Sequence, residues 1–331
     1  MSLRIIQPGM YSSMQDLGRS GYRAIGVPES GAMDTQSAQI ANILVGNRAS
    51  DTVIEFTHHG AALIAESPMI VAHCGGGASL WINDYPAVSG RGYLVKQSTL
   101  LQLKSNPSGY RSYLAVSGGF EASLDLGSSS TYTPAAMGGL NGRILKTGDQ
   151  LRIRDQDVFQ RVSQYFYPSG NNNDVKATSW GYYGRHYQNA ASAIRIIKGP
   201  EWDCFTNNAI ETFLNSSFRI TTQSNRMGFR LQGKSLITEP LPELISTNVT
   251  MGTIQVTHEG DLIMLMADAQ TTGGYPRIAQ IASTDLSACA QLKPDEEIRF
   301  TLISAEEAED LYLKKERDMF LLSEYIQMKY R

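Results

Sequence analysis

Apolar residues along this chain come in short runs. Leu63–Ile64, Met69–Ala72, Tyr93–Val95, Leu100–Leu103, Tyr113–Val116, Ile194–Ile197 and Leu262–Ala267 are separated by clusters of Gly, Pro, Asn and Ser. Runs of that length between turn formers predict many short strands, in a barrel or a sandwich. Helical periodicity is scarcer. From Thr35 to about Val45, Ala38, Ile40, Ala41, Leu44 and Val45 make an apolar stripe, and Gly46-Asn47 supplies a stop. The C-terminal tail is the clearest helix. Ser304-Ala305-Glu306-Glu307 reads as a capping box, and Leu311, Leu313, Phe320, Leu321 and Ile326 recur at loosely helical spacing. That helix either packs on its own domain or offers a face to a partner. The expected class is mainly β with minor α.

The chain also repeats itself. Leu145–Ile153 (LKTGDQLRI) has a counterpart in Leu292–Phe300 (LKPDEEIRF). Upstream of each lies an apolar strand, a double glycine with an aromatic (Gly118-Gly119-Phe120; Gly273-Gly274-Tyr275) and a Ser/Thr-rich stretch. Two lobes related by internal duplication are therefore expected, with a site near their junction. Residues 1–153 form the first lobe in this reading, 154–192 a linker, 193–303 the second lobe and 304–331 the helix. The linker holds Pro168-Ser169-Gly170-Asn171-Asn172-Asn173-Asp174 and the aromatic, polar run Trp180–His186. Such composition buries too little apolar surface to order alone, although its tyrosines can dock on a neighbour.

Composition narrows the function. A chain of 331 residues, 42% hydrophobic and 18% charged, suits two globular domains and excludes a disordered protein. Net charge is −3, which recommends neither nucleic acid nor an anionic membrane. No apolar run is long enough for a membrane span, and Met1–Ile6 opens no secretory signal. Cys74, Cys204 and Cys289 lie far apart with no C-x-x-C pair, against a disulfide framework or a thiolate zinc site. A soluble cytoplasmic protein without a resident metal is expected. Glycine, at 30 residues, is in surplus.

Three stretches carry candidate chemistry. The first, Gln15–Asp34, interleaves glycines 18, 21, 26 and 31 with Gln15, Asp16, Arg19, Arg23 and Asp34. It is either a clamp for a carboxylate or phosphate or an Arg–Asp-stapled loop. The second, Ser224–Leu231, adds Arg226 and Arg230 around Gly228, in a site or a solvated turn. The third, Ala267–Arg277, follows a strand with Asp268, Gln270, Thr271, Thr272, Gly273, Gly274, Tyr275 and Arg277. Amides around its Gly-Gly turn are expected to form an anion-binding nest. Other motifs are missing. There is no P-loop, no G-x-G-x-x-G opening a helix and no G-x-S-x-G elbow. His58-His59 reads as a surface turn, and the neighbours His73 and Cys74 face opposite ways on one strand.

Five runs in order resemble a known family. They are Gln15–Arg19, Gly31–Asp34, Ala41–Asn47, Gly252–Val256 and Thr271–Pro276. Together they are similar to the biotin-dependent carboxyltransferase family, formerly labelled allophanate hydrolase subunit 2. It includes the C subunit of bacterial 5-oxoprolinase, the KipA antagonist of a sporulation-kinase inhibitor and part of the carboxyltransferase domain of urea carboxylase. The likeness leaves only the C-terminal helix outside.

The resemblance implies two cyclophilin-like β-barrel lobes. It implies the C subunit of an ATP-dependent 5-oxoprolinase complex, working with A-like and B-like partner subunits to hydrolyse 5-oxoproline to L-glutamate. ATP, with Mg2+, would be bound here or on a partner. Carried over by position, the catalytic candidates are Asp16, Arg19, Asp34, Asp268 and Arg277. Candidates for binding a small anionic substrate are Gln15, Arg226, Gln255, Thr272, Gly273, Gly274 and Tyr275. Two other classes stay open: a carboxyltransferase taking its carboxyl group from biotin on a separate carrier, and a non-enzymatic regulator binding a histidine-kinase inhibitor. The chain departs from the family pattern at Ser129, where relatives often have a cation, at Thr247, and at Thr257-His258-Glu259-Gly260.

Overall fold

The turn residues divide the apolar runs much as their spacing predicts, giving antiparallel sheets with few helices. The computed structural model describes residues 1–106, 108–169, 172–183, 193–236 and 244–331. Two compact units emerge. One comprises Met1–Gly18, Asp34–Tyr187 and Asp318–Arg331, the other Arg19–Met33 and Gln188–Arg317.

The first unit holds two sheets. In spatial order the first is Gln150–Arg152, Ser2–Pro8, Ala61–Ala65, Leu100–Ser105, Ala78–Ile82 and Tyr85–Pro86. The second is Tyr167–Ser169, Asn172–Gly181, Arg91–Val95, Met69–Gly75, Arg111–Val116, Val53–Thr57 and Tyr11–Gln15. Leu3, Ile5, Ile54, Phe56, Leu63, Val71, Leu80, Leu101, Leu114 and Val116 share one core. Helix α1 (Thr35–Leu44) packs on the strands Met69–Gly75 and Arg111–Val116 and buries Ile40, Ala41 and Leu44. Those two strands are buried at every residue, which is why they read as unbroken runs without alternation.

The stretch expected to be a linker is more ordered than its composition suggests. It contains helix α2 (Asp157–Ser163) and the hairpin Tyr167–Ser169 with Asn172–Gly181. Lys176 pairs with Leu94 and Ala177 with Tyr93, which extends the second sheet. The physical reason is local alternation. Val175 and Ala177 enter the core, and Val162 and Phe166 are buried. Gly170-Asn171 and residues 184–192 of that stretch lie outside the described residues.

The second unit is built on an eight-stranded sheet. Its order is Glu297–Ile298, Phe218–Ile220, Gly228–Gln232, Leu262–Leu265, Thr253–Val256, Arg277–Ile281, Ile194–Lys198 and Phe300–Leu302. The pairing of Ile194–Lys198 with Phe300–Leu302 is parallel. A short ribbon pairs Thr247–Asn248 with Thr272–Gly273. Helix α3 (Asn207–Asn215) sends Phe213 against Phe218 and Phe300, with ring centroids 6.1 and 4.9 Å away. Helix α4 (Leu286–Ala290) contributes Cys289 and Ala290 to the same core. Met33 belongs to this core too, although it lies near the amino terminus.

Helix α5 runs from Ala305 to Lys329. Its capping box is formed as expected. The Glu307 amide donates to Ser304 Oγ at 3.1 Å, and the Ser304 amide to Glu307 Oε2 at 2.9 Å. After its end, Tyr330 Oη donates to the Leu44 carbonyl at 2.7 Å. Among the described residues no helix is long and apolar enough to cross a membrane.

Candidate functional site

Strand pleating gives the second sheet of the first unit two different faces. Ile54 and Phe56 enter the core, so Glu55 between them points to the side covered by α1. Register places Ser13, Glu55, Tyr113 and Cys74 in one row across neighbouring strands. Glu55 is fully buried. Tyr113 Oη donates to its Oε2 at 2.8 Å and accepts from the Asp34 amide at 2.7 Å. Burial, then the nearby Glu55 and Asp34 carboxylates, push the Tyr113 phenol well above its ordinary range and keep it a donor. Burial likewise raises the Cys74 thiol. Arg111, also buried, stands on the same strand as Tyr113.

Asp34 caps α1. Its Oδ1 accepts from the Ser37 amide at 3.0 Å and its Oδ2 from Ser37 Oγ at 2.7 Å. Gln15 is buried at the end of its strand and donates to Ser13 Oγ at 2.9 Å and to the Thr131 carbonyl at 3.2 Å. Asp16 organises the serine run. Its carboxylate accepts from Ser128 Oγ at 2.6 Å, the Ser129 amide at 2.7 Å, Ser130 Oγ and the Gly18 amide at 2.8 Å. Ser129 Oγ also lies 2.6 Å from Thr52 Oγ1. Ser129, where the resemblance leads one to expect a cation, is a hydroxyl committed to Thr52 and Asp16. His73 faces the core side of its strand, and burial holds its imidazole down to about 4. Neither ring nitrogen has a hydrogen-bond partner among the described residues.

In the second unit Arg226 is the organising cation. Its Nε donates to Asp268 Oδ2 at 2.8 Å and its Nη2 to Asp268 Oδ1 at 2.9 Å, with both side chains 7% exposed. The same Nη2 reaches the Gly31 carbonyl at 2.7 Å. Gly31 has φ of 93°, a left-handed backbone that glycine adopts without strain. The arrangement fixes a planar guanidinium in one orientation, as recognition of a carboxylate or phosphate requires. Arg19 is wholly buried, and its amide donates to the Glu29 carbonyl at 2.8 Å.

The loop ending in Arg277 is ordered differently from the expectation. Arg277 Nε and Nη2 clasp Glu201 at 2.8 and 2.6 Å, and Nη1 donates to the Asn248 carbonyl at 2.8 Å. The hydrogen bond from Arg277 holds the Glu201 carboxyl below its usual range, against an opposing effect of burial. Gln255 is buried and donates to the Tyr275 carbonyl at 3.2 Å. A Cβ on Gly273 would lie 2.6 Å from Gln255 Nε2, so close packing explains that glycine. Gly273 pairs with Thr247, and neither Gly273 nor Gly274 has the left-handed backbone that an anion nest uses. The expected nest is therefore not formed. Thr272 and Gly274 are exposed, and Tyr275 meets His258 edge-on at 5.4 Å.

Structure thus joins Arg226 to Asp268 and Gln255 to the Gly273–Tyr275 loop, and ties Arg277 to a residue outside the expected set. The model for the carboxyltransferase domain, subdomain A and B, matches residues 25–302. The chain belongs to this carboxyltransferase domain family. It is 38% identical over 306 residues to the C subunit of 5-oxoprolinase from Escherichia coli K12, covering 92% of this chain and 93% of that one. Against the corresponding 5-oxoprolinase C subunit of Haemophilus influenzae it is 33% identical over 306 residues, covering 92% of each. The crystal structure of Kluyveromyces lactis urea amidolyase matches 97% of this chain with a TM-score of 0.85 at 27% identity. This chain spans 20% of that protein.

Within this carboxyltransferase domain, Glu55, Arg111 and Tyr113 are absent from the sequence-based set. For Glu55 and Arg111 the signal is a charge on an apolar strand; the neutral Tyr113 gives only a polar tip within such a run. Val53-Ile54-Glu55-Phe56 and Arg111-Ser112-Tyr113-Leu114 each place an ionisable residue where the run should be apolar.

Proposed function

We propose that this chain is the C-type subunit of a heteromeric, ATP-dependent 5-oxoprolinase, releasing L-glutamate from 5-oxoproline together with A-like and B-like subunits. The observation that carries this reading is end-to-end similarity. A relative at 38% identity is covered over 93% of its length. The two units are taken as cyclophilin-like lobes related by duplication, a reading supported by the repeated LKTGDQLRI and LKPDEEIRF segments. Three cysteines without a disulfide suit a reducing cytoplasm.

Amide resonance makes the lactam carbonyl a poor electrophile. Transfer of the ATP γ-phosphoryl group to the carbonyl oxygen would release ADP; water would then add at that carbon, phosphate would leave, and the ring C–N bond would break to give the side-chain carboxylate and free amine of glutamate. Arg226, oriented by Asp268 and the Gly31 carbonyl, holds the substrate carboxylate or the phosphoryl oxygens, with Arg19 as a second cation. Gln255, Thr272, Gly273, Gly274 and Tyr275 line the substrate loop. Arg277, engaged by Glu201 and Asn248, holds that loop in place. Asp16 and Asp34 act as positioning residues through the serine run and the α1 cap, and Gln15 supports them.

The test is reconstitution with A-like and B-like subunits and measurement of ATP-dependent glutamate release from 5-oxoproline. Arg226→Lys, which keeps a cation beside Asp268 but loses the planar fork, is expected to lower kcat/KM by about a hundredfold or more while the complex still assembles. An assembled complex that releases no glutamate would overturn the reading. The likeness to urea amidolyase favours carboxyl transfer from biotin as a second reading. It predicts that this chain, with a biotinylated carrier, moves labelled carboxyl groups to an amide acceptor.

A further inference from the structure

Helix α5 has two contrasting sides. On one, Ile326 is buried and Leu311, Met319 and Leu322 are half-buried. On the other, Leu313, Phe320, Leu321 and Met328 are 56%, 64%, 53% and 59% exposed. At about 100° per residue, these four share a stripe roughly 100° wide with Arg317 and Glu324, both exposed. An exposed helix stripe with four large apolar residues around two charges is suited to an interaction surface.

The order of residues in the stripe identifies the occupant. Phe320 and Leu321 stand at its centre, Arg317 and Glu324 lie at equal intervals on either side, and Leu313 and Met328 at equal intervals beyond them. The stripe is a palindrome in apolar character and an anti-palindrome in charge. In an antiparallel pair of identical helices crossing at the Phe320–Leu321 bond, each Phe320 meets a Leu321 and each Leu313 meets a Met328. Arg317 of one copy then meets Glu324 of the other, and the two-fold axis makes that contact twice. A parallel pair would oppose like charges. Among the described residues, Arg317 and Glu324 make no ion pair within their own chain.

We propose that this face joins two copies of the chain in an antiparallel, two-fold dimer. The seam from Leu313 to Met328 is about 24 Å long at about 1.5 Å per residue. That is shorter than a standard stable interface, so the expected dissociation constant is micromolar.

Sedimentation velocity from about 1 to about 300 µM tests this, with melting curves to confirm folding. The wild-type chain should pass from monomer to dimer across that range. Phe320→Asp should leave monomer throughout. Arg317→Glu should weaken association about tenfold or more, and Arg317→Glu with Glu324→Arg should restore it to within about threefold. A wild-type chain that stays monomeric overturns the proposal. So does a dimer indifferent to Phe320→Asp, or a charge swap associating no better than Arg317→Glu alone. Loss of the A-like or B-like partner on Phe320→Asp, with the isolated chain monomeric, assigns the face to that partner and also overturns it.

Discussion

Arg226 and Asp268 are tolerable in the interior because each neutralises the other and shares its hydrogen bonds. Removing one partner strands a buried charge. Asp268→Ala is expected to cost about 3–5 kcal/mol in urea unfolding, and Arg226→Met with Asp268→Leu to recover most of it. A double variant no more stable than the single one would show that the pair is not the source of the loss. His73 makes a different prediction. Its folded-state pKa is about 4, below the ordinary value near 6.5. The unfolded chain therefore binds the proton first, and stability falls as pH drops from about 6.5 to about 4, by roughly 3 kcal/mol in all. His73→Leu should flatten that part of a stability–pH profile, and an unchanged slope would locate the acid sensitivity elsewhere. The chemistry of Arg226 and Asp268 was legible in the sequence. Their partnership was not, because each arginine has several acids at comparable sequence distance.

Elements were legible where their cause is local. Helix α1 begins after Asp34 and α5 after Ser304, because a side-chain acceptor for first-turn amides is encoded within a few residues. Ser304→Ala should lose about 1 kcal/mol of local stability, read as faster amide exchange confined to the first turn of α5. Turns behave alike. Gly118 has φ of 89°, and a Cβ there would lie 1.7 Å from the Asp155 carbonyl oxygen. Gly118→Ala should therefore cost more than the roughly 1 kcal/mol of a simple glycine replacement, with a measurable fall in melting temperature. The hairpin at Tyr167–Gly181 was hidden by its polar turn, because average composition masks the alternation of Val175 and Ala177.

At the scale of the molecule, Arg19–Met33 belongs to the second unit although residues on both sides of it belong to the first. Met33→Ala should loosen the core of the second unit at a cost of about 2–5 kcal/mol. Hydrogen exchange should show that loss in the second unit, and a response confined to the first unit would contradict the assignment. The sequence alone determined the strand-rich class, the two capped helices and the family, since period, turn chemistry and ordered motifs are written within short stretches. Only the tertiary structure decided which charges meet: Asp16 with the serine run, Arg277 with Glu201, and Arg226 with Asp268 and the Gly31 carbonyl. Those contacts depend on the pairing and register of segments far apart in the chain, and a side chain's role follows from the neighbour that folding brings to it.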